Sequence, residues 1–331
     1  MMNSDASRRT RTTAVFAFAA SIALVFATAV PASAAPVPVY DDYPAAAPHY
    51  TSLSYQDTST SEFGDRITLG GTARILDTVT VSFVDWACES DFDFVDGVWV
   101  ATGDPCTTNP AGASFTHPIT VNVYAVDSTV TPAIPGALLA TVTDTVVVPF
   151  RPSSSGVEMC PEFSTDWYDA ATEQCYPGTA FDWTFDLSSA AVVLPNDVIV
   201  AVAHNTESYG ATPIGTAGPY DSLNVTAKDA APSVGTNTDP DAVYLDSTWA
   251  GAYSDGGVGG TGVLRQDLGW STFNPVFRVA ASTPVVPDPA LADTGVDTEA
   301  MTAGTWIGGG VLVAGLALFG FAAYRKRAAR R

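Results

Sequence analysis

The sequence predicts an all-β fold, a single antiparallel β-sandwich of jelly-roll type over 50–281, and three observations carry that prediction. Hydrophobicity alternates with period two in several runs, as in strands that bury one face. Between Tyr50 and Ala281 no stretch repeats its apolar residues at helical spacing. Clusters of Gly, Pro, Asn and Asp separate the runs and supply the backbone conformations that tight turns need. About 230 residues suit one large sandwich with an ample core, and no internal repeat divides them.

The clearest strand is Phe181 to Ser188, where Phe181, Trp183, Phe185 and Leu187 alternate with Asp182, Thr184, Asp186 and Ser188. Four large apolar groups then share one face. Similar runs are Arg66 to Leu69, Val79 to Trp86, Ile119 to Val126, Leu138 to Val148, Leu223 to Lys228, Val243 to Leu245 and Val276 to Val279. Val198 to Ala203 is continuously apolar and is expected at the centre of a sheet, covered on both sides. Turns fall at Gly70-Gly71, Pro132 to Gly136, Pro195 to Asp197, Pro213 to Pro219 and Asp255 to Gly262.

Signals at the two ends stand outside the sandwich. Residues 1–34 hold Arg8, Arg9 and Arg11, an apolar run from Ala14 to Val30, and Ala32-Ser33-Ala34 as a cleavage site, the three parts of a secretory signal peptide. The Pro-rich stretch 35–49 reads as an extended leader. After the sandwich, 282–290 carries Pro284, Pro287 and Pro289 and reads as a semi-rigid spacer. From Thr302 to Tyr324 no residue is charged, and 23 residues at 1.5 Å rise suffice to cross a bilayer core of about 30 Å as a transmembrane helix. Five of the seven residues 325–331 are Arg or Lys, which keeps that basic tail cytoplasmic and the preceding chain outside.

Leu291-Ala292-Asp293-Thr294-Gly295 precedes this apolar run. The order of motif, apolar span and basic tail resembles the sorting signal of Gram-positive surface proteins. In that signal a sortase cuts between Thr and Gly and joins the Thr carboxyl to peptidoglycan. Ala292 stands where the commoner pattern has Pro, so the motif looks like the variant associated with class E sortases of actinobacteria. The resemblance implies a membrane-held precursor and a wall-anchored product, with sortase a transient partner and peptidoglycan a covalent one. Parts of the ectodomain, Pro213-Ile214-Gly215 through Asn224 and Asp239 to Val243, resemble a secreted actinobacterial domain type, which supports the fold and names no ligand.

Between Ala35 and Thr294 there are 6 basic and 32 acidic residues, a formal charge of 6 − 32 = −26. Such a surface repels phosphate backbones and excludes nucleic-acid partners. Cys88, Cys106, Cys160 and Cys175 all lie in the exported part, where disulfides are the default. Three pairings are open; the sequence-local one, Cys88 with Cys106 and Cys160 with Cys175, is the expectation, each worth about 3 kcal/mol by loop entropy. Without a C-x-x-C pair, zinc is disfavoured, and no cofactor is expected.

The search for chemistry narrows the function further. His49, His117 and His204 are too scattered for a triad, and no nucleophile elbow, H-E-x-x-H or phosphate loop occurs. Asp91, Asp93 and Asp96 with Gly97 miss a calcium-loop pattern and read as a solvated acidic loop. Trp183 and Trp86 are expected in the core. Trp99, Trp167, Tyr168, Trp249, Tyr253 and Trp270 sit in polar or Gly-rich stretches, where rings can face solvent. Trp249, Tyr253 and Asp255 combine rings and a carboxylate beside an adaptable loop and are the candidate ligand contacts, for a neutral carbohydrate or a partner protein. The expected function is therefore a displayed binding or adhesion module rather than an enzyme. The alternatives are a structural coat or spacer of the cell envelope and, more distantly, a secreted glycan-active hydrolase.

Overall fold

The computed structural model describes residues 35–283, apart from 109–111, 229–230 and 272. In chain order its strands are β1 (Val37–Asp41), β2 (Ser52–Ser54), β3 (Thr60–Thr68), β4 (Ile75–Asp85), β5 (Phe92–Val95), β6 (Val98–Ala101), β7 (Ser114–Asp127), β8 (Ile134–Pro149) and β9 (Trp167–Asp169). They continue with β10 (Gln174–Tyr176), β11 (Thr179–Asp186), β12 (Asp197–His204), β13 (Leu223–Thr226), β14 (Thr236–Asn237), β15 (Ala242–Ser247), β16 (Arg265–Leu268) and β17 (Phe277–Ser282). The signal peptide, the sorting motif 291–295, the transmembrane segment 302–324 and the basic tail lie outside the described residues.

Two antiparallel sheets face each other across one core. The smaller runs β1-β17-β4-β13-β2, with β11 on the other side of β4. The larger runs β16-β15-β3-β12-β7-β8, with β14 also on β3. Alternation decides which side chains meet. Val79, Val81 and Phe83 of β4, Phe185 of β11 and Phe277 of β17 enter the core from one sheet. Phe63 and Ile67 of β3, Ile119, Val121 and Val123 of β7, and Val198, Val200 and Val202 of β12 enter from the other. Phe181 and Trp183 share the face of Phe185 but are half-buried, because β11 lies at the sheet's rim. Both faces of β12 are buried, as its unbroken apolar run predicts.

The sandwich starts earlier than the sequence reading placed it. The leader is extended, but Val37–Asp41 pairs with β17 and belongs to the fold. Pro38 fits there because the register slips between Pro38 and Tyr40 on an edge strand, where a missing N–H is tolerated. Ser282 still pairs with Ile75, so the spacer begins after it.

Both termini of the sandwich lie at the Ile75 end of β4: Val37 opposes Ala281, and Ser282 opposes Ile75. Trp86 follows Asp85 at the far end, about 33 Å away along eleven residues of strand. Two small hairpins mark that far end. β5–β6 is closed by Cys88–Cys106 and β9–β10 by Cys160–Cys175, the sequence-local pairing, and neither hairpin joins a main sheet. Asp96 and Gly97 make the first hairpin's turn with φ of 51° and 88°.

Candidate functional site: a polar groove on the larger sheet

Directly opposed residues of neighbouring strands share a face, so the pairings trace rows across the outer side of the larger sheet. One row runs Thr143, Thr120, Ala203, Glu62, Asp246 through β8, β7, β12, β3 and β15. The next runs Thr141, Asn122, Ala201, Gly64, Tyr244. Both rows are small in the middle and taller at the sides. The result is a groove of about 530 Å³ with Ala203 in its floor, closed at one end by Asn205, Gly210 and Ala211 of the loop after β12. That volume falls within the range of small-ligand sites, roughly 300–1,000 Å³.

Two devices keep the centre low. A Cβ on Gly64 would lie 2.3 Å from the Val200 carbonyl oxygen and 2.6 Å from the Ala201 Cβ, so only glycine fits. Beyond Gly64 the face is roofed by the turn between β7 and β8, where Tyr244 donates its hydroxyl to the Ala133 carbonyl at 2.9 Å.

The walls are joined by hydrogen bonds. Asn122 Nδ2 donates to Glu62 Oε1 at 2.8 Å and the Tyr124 hydroxyl to the same oxygen at 3.0 Å. Thr141 donates to Asn122 Oδ1 at 2.8 Å, and the Thr120 and Thr143 hydroxyls lie 2.7 Å apart. Burial raises the Glu62 pKa above the ordinary carboxylate range, the bonds from Asn122 and Tyr124 oppose it, and nearby Asp246 adds to the rise. Burial raises Asp246 as well, and its Oδ1 is buried without a partner among the described residues. A groove with hydroxyls, an amide and two carboxylates, and with no Lys or Arg in its lining, can satisfy the hydroxyls of a neutral ligand.

On the core side, His204 stacks on Tyr55 at 4.0 Å and His117 on Tyr220 at 5.0 Å. Burial pulls the His204 pKa down to about 3 and that of His117 to about 4, so both rings are neutral at pH 7. His117 Nε2 donates to the Asn205 carbonyl at 2.7 Å and anchors the start of the loop that closes the groove. His204 also lines the groove beside Asn205.

The candidate residues named from sequence come apart. Trp249 is 51% exposed and follows Thr248, which lines the groove. Tyr253 is corrected: it is 3% exposed, its hydroxyl accepts from Ser247 N at 2.8 Å, and Arg265 stacks over its ring at 4.0 Å. The loop after β15 folds back and buries that ring as a plug. Asp255 organises the same loop, pairing with Arg265 at 2.8 Å and accepting from Gly257 N and Gly259 N. The bond from Arg265 draws its pKa below the usual carboxylate range. Trp86 is also corrected, being 43% exposed, because β4 ends before it. Trp99, Trp167 and Trp270 pack inward, Trp99 on Phe94 and Phe115, Trp167 through a 2.8 Å bond to the Gly178 carbonyl, and Trp270 on Phe63.

Glu62, Asn122 and Asp246 were missed as site residues because each looks like an ordinary polar position on an alternating strand. The usable signals were Gly64 inside a strand and the small outward residues Ala201 and Ala203 beside it. No family model, curated protein or solved structure is significantly similar to this chain.

Proposed function

We propose that the chain is an exported surface module that binds a neutral polyhydroxyl ligand, of carbohydrate type, in the groove over β3, β7, β12 and β15. The observation that carries the reading is the row Thr143, Thr120, Glu62, Asp246 with Asn122 behind it, a wall of hydroxyl, amide and carboxylate groups without a cation. An anionic ligand would meet two carboxylates and a formal charge of −26, whereas a neutral sugar carries no such penalty. The two disulfides fit an oxidising, exported setting. The motif Leu291 to Gly295, the apolar span and the basic tail support anchoring by a sortase to peptidoglycan. The Ile75 end, nearer Thr294 in the chain, then faces the wall, and the groove's closed end faces outward.

The test is a neutral-glycan array with the fragment 35–290 and its Asn122→Ala variant. Retention of a neutral glycan by the parent, weakened about tenfold or more by the variant, supports the reading. Retention of no glycan, or equal retention by both, removes it in favour of an envelope spacer.

A further inference from the structure

The far end of the sandwich holds a second cavity, of about 850 Å³, between the end of β4 and the Cys160–Cys175 hairpin. Its apolar walls are Trp86 and Phe163, 43% and 60% exposed. Trp86 is held in place. Its indole edge packs on Gly178, where a Cβ would lie 2.7 Å from Cδ1, and the His49 ring meets it edge-on at 5.8 Å. The Trp86 carbonyl accepts from Arg151 Nε at 2.9 Å. A bulky, rigid and exposed ring loses little entropy when something covers it.

The charges around these rings are unbalanced. Glu162 and Asp166 line the cavity, and Arg151 is its one lining cation. Arg151 already donates to the Trp86 and Pro152 carbonyls and lies in the field of Asp85, Asp91 and Asp166. An incoming positive charge would therefore meet net negative potential beside two aromatic walls. That combination suits an aliphatic stem ending in a cation, since stems pack on rings and cations are attracted to aromatic faces and carboxylates.

We propose that this cavity docks a basic side chain, lysine or arginine, of a partner polypeptide, with its stem against Trp86 and Phe163 and its charge toward Glu162 and Asp166. The proposal is independent of the groove, which shares no lining residue with this cavity. The acidic ectodomain would steer a basic partner toward it. The cavity lies at the end of β4 opposite Val37 and Ser282, which leaves it open to a partner when the sandwich is tethered through Ser282.

Fluorescence anisotropy on the full chain in detergent micelles tests this, with a fluorescein-labelled peptide Gly-Pro-Leu-Lys-Leu-Pro-Gly and the same peptide carrying norleucine for lysine. The lysine peptide is expected to bind at least about tenfold more tightly than the norleucine one, with affinity falling as salt rises. Phe163→Ala and the double variant Glu162→Gln with Asp166→Asn are each expected to weaken it about tenfold. Phe163 is well exposed, so a loss there does not reflect misfolding, and unchanged thermal midpoints check the double variant. No binding, equal affinity for the two peptides, or binding indifferent to both variants overturns the proposal. A neutral oligosaccharide that competes for the cavity and is lost on Trp86→Ala would also overturn it, by assigning the cavity to carbohydrate.

Discussion

Replacing Asp42 with Asn is expected to stabilise the sandwich at pH 8 and to leave it nearly unchanged at pH 3. Asp42 is 4% exposed behind β1, where its Oδ1 accepts from Phe277 N at 2.7 Å and its Oδ2 from the Tyr40 hydroxyl at 3.2 Å. Burial raises its pKa from 3.8 to about 7, the two hydrogen bonds only partly opposing it. A carboxyl that holds its proton more tightly when folded contributes stability in full below pH 3.8 and loses it as pH rises through about 7. At about 1.4 kcal/mol per tenfold, ionising Asp42 in the folded state costs about 4 kcal/mol. Asn, uncharged like the protonated carboxyl, keeps an acceptor for Phe277 N and avoids that cost, a gain of about 4 kcal/mol above pH 8. For a domain of this size that is roughly 8 to 16 °C in thermal midpoint. Buried Asp65 lies in the field of Asp42, so the change relieves it too. Thermal unfolding of parent and variant, followed by circular dichroism at both pH values, gives the difference directly, and contributions shared by the two chains cancel. A lower midpoint for the variant at pH 8, or the same shift at both pH values, refutes the reasoning.

The histidine stack acts in the opposite direction. His204 and His117 have folded pKa values of about 3 and 4 against the ordinary 6.5, so their contribution is full above pH 6.5 and lost as pH falls toward those values. His204→Phe, which keeps a ring on Tyr55, is expected to flatten the acid limb of a plot of thermal midpoint against pH. Gly64→Ala should destabilise by about 3 kcal/mol or more, since the new methyl meets backbone and the Ala201 side chain, and should appear as a lower urea midpoint with little change in slope. Non-reducing peptide mapping should recover Cys88 linked to Cys106 and Cys160 to Cys175, and replacing either pair with Ser should cost about 3 kcal/mol.

Local patterns made the main strands legible. The alternation of Phe181 to Ser188 marks β11, and the unbroken run Val198 to Ala203 marks β12, because face and burial follow directly from period two. Strand β1 was hidden by Pro38, since proline usually argues against a strand and its acceptance depends on an edge and a bulge that only tertiary pairing reveals. Tyr253 reads as a loop ring until the loop's fold onto β15 and Arg265 is known. The groove is assembled from one or two polar residues on each of β3, β7, β8 and β15 around Ala203 of β12, and no window of sequence contains it. Strand order, fixed by long-range packing, brings Glu62 opposite Asp246 and both across from Thr120.

Backbone amide shift mapping of the fragment 35–290 with the neutral glycan best retained on the array tests the binding reading most directly. The account predicts saturable shifts concentrated on Glu62, Thr120, Asn122, Thr143, Ala203 and Asp246, absent in the Asn122→Ala variant. Shifts confined to the Trp249 loop or the Trp86 end, or no saturable shift at all, would contradict it.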